Sequence, residues 1–105
     1  MNTSTTPSIV AGRVTADDVT RALRALLPDT HRALLFGSRA TGRARDRSDW
    51  DIGIVGSTPL DGAMLERIRE SLDRLPTLRI FDVVDLSTAP PELRTRALRE
   101  GVRLA

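Results

Sequence analysis

The stretch from Asp49 to Val55 constrains the fold more than any other part of the chain. In an extended strand successive side chains alternate between faces, so Trp50, Ile52 and Ile54 share one face while Asp49, Asp51, Gly53 and Val55 share the other. Such a strand must lay its apolar face on a core and bring two carboxylates to one place on the opposite side. Two like charges held that close are unfavourable unless something neutralises them, and a hard divalent cation with oxygen ligands does so well.

The remaining elements follow from periodicity and punctuation. Order is expected to begin near Val14, where Thr15 followed by Asp18 forms a capping-box pattern, and Val19, Ala22, Leu23, Leu26 and Leu27 fall on one helical stripe that ends at Pro28-Asp29. Ala33 to Phe36 is a short apolar run suited to a strand buried on both faces, closed by Gly37-Ser38. Thr58-Pro59 is expected to open a second helix, carrying Met64, Leu65, Ile68, Leu72 and Leu75 and closed by Pro76. A third strand is expected from about Leu78 to Leu86, a last helix from Pro90-Pro91 to Gly101, and a short terminal strand over Val102 to Leu104. This order of helix, strand, strand, helix, strand and helix predicts an α/β or α+β domain, a small mixed sheet with helices packed on it. Residues 1–12 are expected to be a flexible tail rich in Ser and Thr, and residues 13–105 the domain.

In the third strand Ile80, Asp82 and Val84 share a face, which places a charge between two aliphatic neighbours on a side expected to be at least half buried. If the second and third strands are neighbours, Asp82 stands beside Asp49 and Asp51, giving three carboxylates for one or two Mg2+ ions, with Mn2+ an alternative, and in-line displacement at phosphorus. Asp85 points to the opposite face and is left out. Gly37 lets backbone approach a ligand closely, and Ser38 offers a hydroxyl and an amide to a phosphate tail. Arg39, Arg43 and Arg47 in the following loop are further candidate phosphate contacts. Taken singly each feature has an ordinary reading: a turn after a strand, a solvated strand face, a solvated basic loop. His31 is expected only to begin a strand, and Trp50 to belong to the core.

Composition excludes several classes. The chain has no cysteine, which removes disulfides, thiolate zinc sites and thiol nucleophiles. The sequence pI of about 10.8 suggests nucleic acid, but the formal charge is only +2 and every basic residue is arginine. Aromatic residues are 3% of the chain, too few for base stacking, so direct nucleic-acid binding is not expected. No apolar run reaches membrane-spanning length and the first residues lack a signal-peptide pattern, so a cytoplasmic location is expected.

As a combination, the Gly-Ser turn, the Asp-Trp-Asp ten residues later and the Phe-Asp-Val-Val-Asp beginning at Phe81 are far more specific than any part. The segment GSRATGRARDRSDWDIGIV closely resembles the signature of minimal nucleotidyltransferases of the DNA polymerase β superfamily, in particular MntA-type antitoxins paired with HEPN-domain toxins of the HepT type. The resemblance runs from about His31 to Leu104 and implies a polymerase-β-like fold. It also implies that Asp49 and Asp51 bridge the metals, that Asp82 binds the metal at the acceptor, and that Gly37 and Ser38 hold the β and γ phosphates of ATP. The implied reaction moves AMP from ATP to a tyrosine of a HepT toxin, which silences it. Larger relatives append an acceptor-binding domain, and 105 residues leave no room for one, so the acceptor is expected to be another macromolecule. The competing readings are an antitoxin that acts by occlusion alone, and transfer to a small molecule or an RNA end.

Overall fold

The computed structural model describes residues 14–42 and 49–105. Helix α1 (Ala16–Arg24) is followed by β1 (His31–Phe36), a single 3-10 turn (Gly37–Arg39), β2 (Trp50–Gly56), α2 (Gly62–Asp73), β3 (Phe81–Asp85), α3 (Pro91–Glu100) and β4 (Val102–Arg103). The sheet has the order β3-β2-β1-β4. Strand β1 is antiparallel to both β2 and β4, whereas β2 and β3 are parallel. A parallel pair needs a crossover, and α2 supplies it.

Alternation along the strands divides the sheet into two faces. Ala33, Leu35, Trp50, Ile52, Ile54, Phe81 and Val83 form one face and pack with Val19 and Leu23 of α1 and Ile68 and Leu72 of α2. Ile52 and Ile54 are fully buried, and each such side chain contributes about 1.5–3 kcal/mol relative to exposure. The other face is thinner: Leu34, Phe36, Val55 and Val84 meet Leu86, Leu93 and Ala97 around α3. Gly53 belongs to this face because Leu86 crosses it; a Cβ there would lie 2.7 Å from Leu86 Cδ1.

Helix boundaries follow local chemistry. The capping box of α1 is formed, with the Thr15 amide donating to Asp18 Oδ2 at 2.8 Å and the Asp18 amide donating to Thr15 Oγ1 at 3.3 Å. Helix α2 begins at Gly62 rather than at Thr58-Pro59, because the cap is Asp61, whose side chain accepts from the Met64 amide at 3.3 Å. Leu60 just before it is buried and donates its amide to Asp85 Oδ2 at 2.8 Å. Strand β3 is shorter than its apolar pattern predicts: it starts at Phe81, and Leu78 and Ile80 ahead of it are 90% and 65% exposed. Strand β1 is covered unequally, since Arg32 is exposed and Leu34 only half-buried. The terminal strand forms as expected, Val102 and Arg103 pairing with Leu35 and Leu34. The tail expected over residues 1–12 lies outside the described residues.

Candidate active site

The acidic site is a product of register. In the parallel ladder between β2 and β3, Asp51 stands directly opposite Asp82, and in the antiparallel ladder with β1 it stands opposite Phe36, the last residue before Gly37. Three segments distant in sequence thus meet at the end of the sheet where β1 finishes and β2 and β3 begin. Gly37 adopts φ +75, and a Cβ there would collide with the Asp51 carboxylate, whose Cγ lies 3.2 Å from that position. Glycine is required twice over, by the left-handed backbone and by the carboxylate packed against it. The turn is closed by Ala40 and Thr41 amides donating to the Gly37 carbonyl at 3.1 and 3.3 Å. The Thr41 hydroxyl donates to the carbonyls of Gly37 and Ser38.

Electrostatics mark Asp51 as the strained member. Burial pushes its pKa up, Asp82 and then Asp49 push it further in the same direction, and Arg96 opposes them. Asp49 has a hydrogen-bond partner outside the carboxylate group. It precedes β2, is exposed, and its Oδ1 accepts from the Ile80 amide at 3.1 Å, while its own strand continues through Trp50 donating to the Ile80 carbonyl at 2.9 Å. It lies near enough to Asp51 for its charge to raise the pKa there. Among the described residues no three histidine, aspartate or glutamate side chains are gathered closely enough to hold a metal ion as they stand. Asp82 is also exposed rather than half-buried, because β3 is an edge strand and the neighbour expected to flank it, Ile80, lies in solvent before the strand begins.

On the core side of the same sheet end, Trp50 is buried and stacks on Phe81 with ring centroids 5.8 Å apart and planes at 24°. The Arg39 guanidinium lies 4.1 Å from the Trp50 ring centroid. Arg39, expected as a phosphate contact, is therefore held on the face opposite Asp51, and it fastens the Gly37 turn to the core. Arg43 and Arg47 lie outside the described residues.

Three residues carry roles that the sequence left unassigned. Asp85, left out of the site, is a buried structural carboxylate. Burial raises its pKa, but the Ser87 hydroxyl, the Leu60 and Ser87 amides and the nearby His31 together bring it below the ordinary value. His31 begins β1 as expected and is also a buried tie: Nε2 lies 2.9 Å from the Thr58 carbonyl, which can only accept, so that nitrogen carries the proton and Nδ1 faces the Thr30 hydroxyl at 2.8 Å. Arg96, on α3, is the basic group whose charge reaches Asp51. No motif marks it, and the only trace in the sequence is its position beside Ala97, the small residue that lets α3 approach Phe36.

Comparison with known proteins places the fold. Residues 23–105 match the family described as "Polymerase beta, Nucleotidyltransferase". A protein of Haemophilus influenzae described as "Probable protein adenylyltransferase MntA" is 32% identical over 72 residues, which is 69% of this chain and 62% of that protein, so the match spans less than two thirds of the relative. Among solved structures, a chain from a crystal structure of a mutant of the toxin-antitoxin MntA-HpeT superposes with a TM-score of 0.69 at 26% identity, covering 89% of this chain and 73% of the other. A chain from a toxin-antitoxin crystal structure with AMP-PNP superposes with a TM-score of 0.65 at 25% identity, covering 88% and 73%. This chain belongs to the polymerase beta nucleotidyltransferase family.

Proposed function

We propose that the chain transfers AMP from ATP to a hydroxyl, that of a tyrosine, on a HepT/HEPN-type toxin, and so acts as its antitoxin. The observation that carries this reading is the pair Asp51 and Asp82, in register on adjacent strands, with Asp51 packed against Gly37 and its charged form opposed by burial and by its neighbours' charge. Carboxylates arranged this way fit a hard divalent cation, which supplies the missing positive charge. Asp49, Asp51 and Asp82 would hold Mg2+ or Mn2+, as two ions in the full arrangement. Bound there, the metal neutralises phosphate charge and makes the acceptor hydroxyl easier to deprotonate. Support for the partner comes from the similar proteins, one described as a probable protein adenylyltransferase and others solved in toxin-antitoxin structures.

The chain's own residues divide the work. Gly37 and Ser38, with Arg43 and Arg47, hold the β and γ phosphates, while Arg39 keeps the turn in place. Asp82, exposed at the sheet edge, faces the incoming acceptor. The acceptor oxygen bonds to the α-phosphorus as the bond from that phosphorus to the bridging oxygen of the β-phosphate breaks. Pyrophosphate departs with the electron pair, and the hydroxyl proton passes to the Asp82 carboxylate. The test is mass spectrometry of the partner toxin incubated with this chain, ATP and Mg2+. The expected result is one or more added AMP groups, none with Asp49→Asn/Asp51→Asn, and an unmodified toxin with the wild-type chain would overturn the reading.

One observation favours neutralisation by occlusion alone: the Asp49 carboxylate is engaged by the Ile80 amide instead of joining Asp51 and Asp82. Under that reading the folded double Asp→Asn variant still protects cells from the toxin, and loss of protection rejects it.

A further inference from the structure

We infer that Arg96 is a ligand for the triphosphate tail of the nucleotide, approaching it from α3. The inference rests on the AMP-transfer reading above and adds a residue to it.

Placement comes first. Helix α3 leaves the far end of β3 and returns along the sheet, so its C-terminal half lies over the end where the acidic site is built; Gly101 sits against Leu34, and β4 then pairs with Leu34 and Leu35. Ala97 is fully buried against Phe36, and Phe36 is the residue opposite Asp51 in the ladder. Arg96, adjacent to Ala97, is carried to the same end and remains exposed. Its guanidinium is close enough for its charge to act on Asp51.

Its availability distinguishes it from its neighbours. Arg94 on the same helix is committed to structure, donating to the carbonyls of Leu86 and Ser87 at 2.8 and 3.0 Å. Arg69 donates to the Val83 carbonyl at 2.8 Å, and Arg39 lies over Trp50. Among the described residues Arg96 makes no hydrogen bond or salt bridge, so all its donors can turn to a ligand.

Charge explains why a ligand needs it. A triphosphate approaching Asp49, Asp51 and Asp82 meets three negative groups, and the end of α3 facing it is the negative pole of that helix. Backbone dipoles there repel phosphate, so attraction from this side must come from a side chain. A guanidinium offers a planar fork that matches two phosphate oxygens. On reaction the same contact remains with the departing pyrophosphate, whose charge grows as the bridging oxygen takes the electron pair.

The test is titration calorimetry of the full chain with AMP-PNP and Mn2+, and separately with AMP. For Arg96→Ala we expect affinity for AMP-PNP to fall about ten-fold, as for loss of one charge-assisted phosphate contact, with AMP changed less than about two-fold. Arg96→Lys should recover part of the loss, because the charge returns without the fork, and the melting temperature of both variants should match the wild type. Unchanged AMP-PNP affinity in Arg96→Ala overturns the inference, and so does an equal loss for AMP-PNP and AMP. If the wild-type chain itself fails to bind AMP-PNP, the nucleotidyl-transfer reading falls, and the inference with it.

Discussion

Asp51 concentrates the conflict between stability and function. Its folded-state pKa is raised, by burial first and then by Asp82 and Asp49, so it stabilises the fold fully only below its unfolded value, and that contribution is lost as pH rises through the folded value. At neutral pH the metal-free protein therefore carries a penalty. Asp51→Asn should raise the melting temperature measured in EDTA, by an amount worth less than about 1 kcal/mol since the site is partly solvated, while abolishing AMP transfer. Gly37 is constrained from the other direction. Gly37→Ala should cost about 1–2 kcal/mol for the left-handed backbone alone, read by urea unfolding, and should reduce transfer disproportionately because the new methyl displaces the Asp51 carboxylate. The tolerant glycine nearby is Gly42, whose Cβ would meet nothing within 4 Å.

At the level of elements, buried polar ties fix where strands and helices stop. Asp85 holds Leu60 ahead of α2 and Ser87 after β3, so one carboxylate sets two connections. Its folded pKa is depressed, so its contribution is present above the unfolded value of about 4 and is lost as pH falls through the folded value. Asp85→Asn should lower stability at pH 7 by about 1–3 kcal/mol and flatten the acid limb of the stability curve below pH ~4, measured by urea unfolding at pH 7 and pH 3. The 3-10 turn is closed by hydrogen bonds to the Gly37 carbonyl and is also tied to the core by the Arg39 stack on Trp50. Arg39→Ala should remove about 0.5–1 kcal/mol of cation–π attraction and lower transfer with little change in the core, whereas a direct phosphate role for Arg39 would instead show as weaker AMP-PNP binding.

For the whole molecule, a cation held at the acidic end of the sheet, as proposed above, would be linked to folding. A cation that binds the folded chain and not the unfolded one stabilises it by mass action, about 2.7 kcal/mol at a hundred times its dissociation constant. Mn2+ or Mg2+ should therefore raise the melting temperature of the wild type and leave that of Asp51→Asn unmoved, and an equal rise in both would place the ion elsewhere. No helix among the described residues is long and apolar enough to cross a membrane. The same sheet leaves β3 at an edge with Leu78 and Ile80 in solvent, although their apolar spacing alone extended the strand over them.

The sequence by itself determined the alternation that sets Asp51 apart from Trp50, Ile52 and Ile54, the cap at Thr15, the Gly-Ser turn and the family, because these depend on local period, local hydrogen bonding and motif spacing. It also separated Asp82 from Asp85 by strand parity. Only the tertiary structure decided that Asp82 lies opposite Asp51, that Asp49 accepts from the Ile80 amide, that Arg39 lies over Trp50 and that the charge of Arg96 acts on Asp51. Those outcomes depend on strand order and register and on the path of α3 over the sheet. Contacts of that kind join residues far apart in the chain, and no local pattern encodes which of them will meet.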